Sequence, residues 1–134
     1  MIDQLRIVTI VVEDQAEAHA FYTETLGFET RSDETFGPGI RWLTVAPPGQ
    51  SEVEILLQQP DPAQHGEEGA EALAALVGRN PTWSFHTNDL DGTYEELRSA
   101  GVTFVSNPAD RPYGREAVFE DLYGNRFSLL EPAG

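Results

Sequence analysis

The sequence predicts an α+β fold made of two tandem βαβββ modules, and three observations carry that reading. A β-branched apolar run, Leu5-Arg-Ile-Val-Thr-Ile-Val-Val12, is followed at once by a helix-start signature at Asp14. The same succession returns at Thr82-Trp-Ser-Phe-His86 and Asp89, and each helix is followed by three strand-like stretches separated by glycine- and proline-bearing turns. A repeat on the scale of half a chain means two similar units, each with an apolar sheet face to bury. At 134 residues and 40% apolar content the chain fits a single domain, 1–134. Within it, module 1 covers about 3–59, a helical linker about 60–80 and module 2 about 81–132.

Each element has a local reason. The near-continuous apolarity of Leu5–Val12 predicts an interior strand with both faces covered. Asp14 is a suitable N-cap with Glu17 three residues on, and Ala18, Phe21, Tyr22 and Leu26 then recur at helical spacing up to Gly27. Phe28–Glu34, Ile40–Val45 and Glu52–Gln58 alternate as strands, broken by Gly37-Pro-Gly39 and Pro47-Pro-Gly49. The alanine-rich stretch from Glu67 to Val77 is helix-prone and ends at Gly78, as either a helical crossover or a mobile cover. In the second half, Asp121–Asn125 is the turn between the last two strands, with Gly124 and Asn125 expected at positive φ.

Composition narrows the functions. The formal charge is −15, from 23 acidic residues against 8 arginines and no lysine. Such a surface repels phosphate backbones and anionic lipids, so neither nucleic acid nor membrane is an expected partner. The absence of cysteine removes disulfides, thiol nucleophiles and thiolate metal sites. No leader or spanning segment is evident in the sequence, and a cytoplasmic location is the expectation.

Taken together, Val12-Glu-Asp14, Phe21-Tyr22, Leu26-Gly-Phe28, Asn88-Asp-Leu-Asp91, Leu97 with Gly101-Val102, and Asp121-x-x-Gly-Asn125 resemble the vicinal oxygen chelate superfamily, the glyoxalase, bleomycin-resistance and extradiol-dioxygenase group. The resemblance covers nearly the whole chain. It implies that the two modules curl a mixed sheet around a cleft, commonly completed by a homodimer partner, and that a divalent metal is held by four strand side chains. At those four positions this chain has Ile7, Glu54, Thr82 and Ser128, and only Glu54 keeps a ligand type. One carboxylate does not hold a catalytic metal. The expectation is therefore a cleft with no metal or other cofactor, binding a hydrophobic or aromatic small molecule in the manner of the bleomycin-resistance branch. The alternative is a lyase, isomerase or dioxygenase of the glyoxalase type, using a metal or a Glu54 and His86 acid-base pair. A regulatory domain whose cleft is filled by side chains is a third possibility.

Strand alternation places Ile7, Thr9, Thr82, Ser84 and His86 on the parity of the former ligand positions, with Val8, Ile10, Val12, Trp83 and Phe85 under the helices. Glu54 and His86 are the candidate catalytic groups. Glu54 either meets Arg41 across the sheet or waits for a ligand. Phe36, Trp42 and Tyr113, next to turns, are the aromatic candidates for a ligand wall. The ligand-binding expectation thus comprises Thr9, Phe36, Trp42, Glu54, Thr82, Ser84, His86, Tyr113 and Ser128. His19 and His65 read as solvated surface residues.

Overall fold

The computed structural model describes residues 1–133. They form two compact units, Met1–Val77 and one that begins at Gly78, each built on a four-stranded mixed sheet. This is the α+β, two-module architecture. No helix among the described residues is long and apolar enough to cross a membrane.

In the first unit, β1 (Ile7–Val11) leads into α1 (Gln15–Ala20), and β2 (Glu29–Phe36), β3 (Ile40–Ala46) and β4 (Glu54–Gln58) follow, in the sheet order β1-β4-β3-β2. The Asp14 carboxylate accepts from the Glu17 amide at 2.9 Å, the cap expected from the sequence. After Ala20 the helix widens into a π-turn over Phe21–Thr25, closed by the Leu26 amide donating to the Phe21 carbonyl at 3.0 Å. The large apolar side chains fully buried in this unit are Ile10, Val12, Tyr22, Leu43, Val45 and Leu57, with Ile55 only 4% exposed. On β1, β3 and β4 these residues share the parity that packs under the helix.

The β1 strand pairs only with β4 and so lies at a sheet edge rather than inside, against expectation. Near-continuous apolarity predicts covered faces and so suggests an interior strand. Coverage of the two faces is a separate matter from neighbours within the sheet. The stretch after β4 also differs. Its helix α2 spans Pro62–Ala74, capped by Asp61 accepting from the Ala63 amide at 3.0 Å and interrupted at Gly66, whose φ of 75° is not helical. It starts earlier than composition suggested because proline at the first helical position suits an aspartate cap.

In the second unit, β5 (Trp83–His86), α3 (Leu90–Ser99), β6 (Thr103–Arg111), β7 (Gly114–Glu120) and β8 (Arg126–Pro132) repeat the order, with sheet order β5-β8-β7-β6. An aromatic core lies under α3: Tyr94 of the helix meets Phe104 at 4.6 Å between ring centroids, and Phe85, Phe104 and Phe127 each contact Phe119 at 5.6 to 6.3 Å. Each buried ring of this kind contributes about 1.5–3 kcal/mol. Phe119 and Phe127 are therefore core, and Trp83 leans on Phe127 at 6.3 Å.

The turn between β7 and β8 corrects one expectation. Gly124 takes a positive φ of 88°, but Asn125 does not. Asn125 is instead a buried tie, 1% exposed, whose backbone and side-chain nitrogens donate to the two oxygens of Asp121 at 2.9 and 2.8 Å. Its side-chain oxygen accepts from the Asn80 amide at 3.0 Å. Asn125→Ala removes a donor to buried Asp121 and the acceptor of the Asn80 amide, and is expected to cost about 2–4 kcal/mol in urea unfolding. A loss below about 0.5 kcal/mol would mean that the turn is held by its backbone alone.

Candidate functional site

Each sheet has a face turned away from its helix, and there a buried hydroxyl meets a carboxylate. In the first unit the Thr44 hydroxyl, fully buried on β3, donates to Glu54 Oε1 at 2.6 Å. In the second, the Ser128 hydroxyl, 4% exposed on β8, donates to Glu116 Oε2 at 2.6 Å. Both contacts are diagonal. Thr44 is paired with Leu56 and Ser128 with Val118, and in each case the carboxylate stands two residues back along the neighbouring strand. The hydroxyl sits on the third strand of one module and on the fourth of the other.

Glu54 does not meet Arg41. The Arg41 guanidinium is taken by Asp33, through Nε at 2.9 Å and Nη2 at 2.8 Å, and this forked hydrogen bond holds the Asp33 carboxyl below its usual range. Glu116, absent from the residues expected, is the more connected carboxylate. Besides Ser128 it accepts from the Tyr113 hydroxyl at 2.9 Å and faces the Arg111 guanidinium at 3.9 Å. These contacts, Ser128 foremost, depress its pKa, while Glu116 in turn raises the Tyr113 phenol. The available sequence signal was parity. Glu116 alternates onto the same face as Val118, the β7 residue opposite Ser128, but the diagonal meeting needs the strand register, which composition does not reveal.

The remaining expected residues are placed as follows. Thr9 is half-buried on β1 opposite Leu56. Thr82 lies one residue before β5 and is exposed, while Ser84 and His86 are exposed on that edge strand, opposite Ser128 and Leu130. Phe36 ends β2 at 52% exposure, and Tyr113, at 53%, forms the β6–β7 turn. His65 differs from the surface reading: its Nδ1 accepts from the Asp61 amide at 3.1 Å and its Nε2 lies 3.2 Å from the Gln58 amide nitrogen. His19 Nε2 lies 2.7 Å from the Thr30 hydroxyl.

Trp42, 36% exposed, lines a cavity of about 450 Å³ confined to the first unit, together with Ile40, Leu56, Gln58, Gln64 and Asp61. Its cause is a gap in the sheet. The ladder between β3 and β4 has only two pairs, Thr44 with Leu56 and Val45 with Ile55, whereas that between β7 and β8 runs through seven, Gly114 with Pro132 to Glu120 with Arg126. Where β3 and β4 part, the Gln15 side-chain amide bridges them, donating to the carbonyls of Arg41 at 3.0 Å and Leu57 at 2.9 Å.

Two βαβββ modules with polar groups on the strand faces away from the helices define a paired-module protein of the glyoxalase type. The chain belongs to the Glyoxalase/Bleomycin resistance protein/Dioxygenase superfamily, whose model matches residues 4–129. It is 36% identical to the uncharacterized protein YetH of Bacillus subtilis (strain 168) over 131 residues, 98% of this chain and all of that one. Among solved structures, UcmS2 superposes with a TM-score of 0.86 at 47% identity, covering 98% of this chain and 99% of that one. TnmS3, an antibiotic binding protein from Streptomyces sp. CB03234, superposes with a TM-score of 0.75 at 29% identity and 98% coverage of both chains.

The divalent metal known in this superfamily does not fit the donor set here. Ile7 offers no donor, Thr82 lies before its strand, the Ser128 hydroxyl is committed to Glu116 and one Glu54 oxygen to Thr44. Among the described residues no three His, Asp or Glu side chains gather into a ligand cluster.

The Ser128 pair has a measurable pH signature. Because the Glu116 pKa is lower folded than unfolded, the pairing stabilises the protein above the ordinary carboxylate range, and the contribution is lost as acid protonates Glu116. Ser128→Ala is expected to cost about 1 kcal/mol at neutral pH and far less near pH 3, and to raise the Glu116 titration midpoint. Carboxyl-detected NMR titration of both proteins measures it, and an unmoved Glu116 midpoint would rule out the hydroxyl as the cause.

Proposed function

We propose that the chain is a small-molecule-binding protein that sequesters a hydrophobic or aromatic ligand without a bound metal, acting in the cytoplasm as a homodimer. The observation that carries this reading is the state of Glu54 and Ser128, two of the three polar residues at the superfamily's metal positions. Ser128 is committed to Glu116 and Glu54 to Thr44, each at 2.6 Å, so the groups are used to order the sheets. Exposed aromatics support it: Phe36, Trp42 and Tyr113 are 36 to 53% exposed, an area that burial against an apolar ligand would stabilise. TnmS3, an antibiotic binding protein of the same fold matched over 98% of both chains, points the same way. A charge of −15 disfavours anionic ligands.

The test is thermal shift against aromatic antibiotics and metabolites, in chelator and in added divalent metal, with each stabilising compound recovered and analysed. A stabilising ligand recovered unchanged, with the same shift in chelator, is the expected outcome. Stoichiometric Ni, Zn, Fe or Mn in protein purified without chelator, or turnover abolished by Glu54→Gln or His86→Ala, would replace binding with catalysis. Light scattering during size exclusion reads the oligomeric state, and a monomer at every concentration would remove the dimer.

A further inference from the structure

We infer that the ligand site of the first unit is the cavity at the parting of β3 and β4, and that it takes a flat, uncharged aromatic molecule bearing carbonyl or other neutral hydrogen-bonding groups. The inference rests on the binding reading above and adds a location and a ligand class.

The location follows from the gap. A sheet whose third and fourth strands paired throughout, as β7 and β8 do, would have no room between them. In the first unit the Gln15 amide takes the place of the missing rungs, satisfying two carbonyls with one side chain while holding the strands apart. The matching residue after the helix cap in the second module is Leu90, fully buried, which can bridge nothing. The cavity, about 450 Å³, lies within the range that small-molecule sites occupy.

The ligand class follows from which lining groups are already used. Both charged residues of the lining are satisfied internally. Arg41 offers its carbonyl to Gln15 while its guanidinium is forked onto Asp33, and Asp61 caps α2. An anion would meet no unspent cation, and a cation would meet only the Asp61 carboxylate, whose charge is already set against the amides at the start of α2. What remains is apolar or amide: Ile40, Leu56 and the Trp42 indole as walls, with the Gln64 side-chain amide and the Gln58 side-chain amide, whose nitrogen also lies 3.2 Å from His65 Nε2, at the side. Neither the Trp42 indole N–H nor the Gln64 amide has a partner among the described residues. Stacking on the Trp42 ring while the Gln58 or Gln64 side-chain amide donates to a ligand carbonyl uses wall and donor together, whereas a purely hydrocarbon ligand would use the wall alone.

Three probes of one shape test the class: acridone, neutral with a carbonyl; 9-aminoacridine, a cation; and acridine-9-carboxylate, an anion. Equilibrium dialysis read by the probes' own fluorescence is expected to show saturable one-to-one binding of acridone that is insensitive to salt. The carboxylate should not bind, and the cation should bind only in a form that added salt removes, as a screened surface attraction does. Trp42→Ala and Gln58→Leu should each weaken acridone about tenfold, and Trp83→Phe, in the second unit, should leave it unchanged. Circular dichroism of each variant separates lost binding from lost fold, and Gln64→Ala, on an exposed helix position, is the substitute should Gln58→Leu unfold. No acridone binding, preference for the anion, or wild-type acridone affinity in both Trp42→Ala and the Gln58 or Gln64 variant overturns the inference. Saturable acridone binding that ignores these substitutions leaves the binding protein standing with its site elsewhere, whereas conversion of a probe to product refutes the binding reading itself.

Discussion

The constraint on which both modules depend is the tie between a helix start and the end of the last strand. Asp14 caps α1 from within, and the side-chain oxygen of Gln59, just beyond β4, takes the Gln15 amide at 2.9 Å. In the second module Asp89 caps α3 and Glu131, near the end of β8, takes the Leu90 amide at 2.9 Å. The first turn of a helix has amides with no partner inside it, and a strand-end side chain supplies one while fixing where the helix lies on the sheet. Since β4 and β8 also pair in parallel with the strand that enters the helix, one contact closes the β-α-β loop in each half. The carboxylate in the second module complements the helix dipole as well, and the glutamine in the first does so more weakly.

From that shared frame the modules diverge at the next position. Gln15 reaches sideways into the sheet and holds it open, while Leu90 turns into the core and the ladder beside it closes completely. A single side chain after the cap thus separates a sheet whose third and fourth strands part from one in which they stay paired. The hydroxyl and carboxylate pairs diverge in the same way, the donor and acceptor having exchanged strands between the halves. The repeat conserves backbone positions and caps, not the chemistry on the strand faces.

This division explains what the sequence could disclose. Element order, the two aspartate caps and the family were legible because each is written in a few adjacent residues: a polar cap before an apolar stripe, or a glycine after one. The edge position of β1 was not, since Ile7 to Val12 look alike whether one or two strands flank them. Glu116 was passed over because its partner Ser128 lies twelve residues away, across a register set by the β7–β8 turn. Gln15 carries no comparable local signature. Its role exists only where Arg41 and Leu57 present carbonyls that no strand satisfies.

The π-turn over Phe21–Thr25 has a meaning beyond its geometry. From Asp14 to Gly27 the chain is one residue longer than from Asp89 to Gly101, yet each glycine ends its helix at positive φ. A wider turn is how a helix accommodates a single extra residue without rotating everything beyond it. Tyr22 consequently stays buried and the Phe28 amide still returns to its carbonyl at 2.9 Å. The wide turn absorbs the extra residue, and it marks the first helix as the place where the two halves of this chain differ in length without differing in fold.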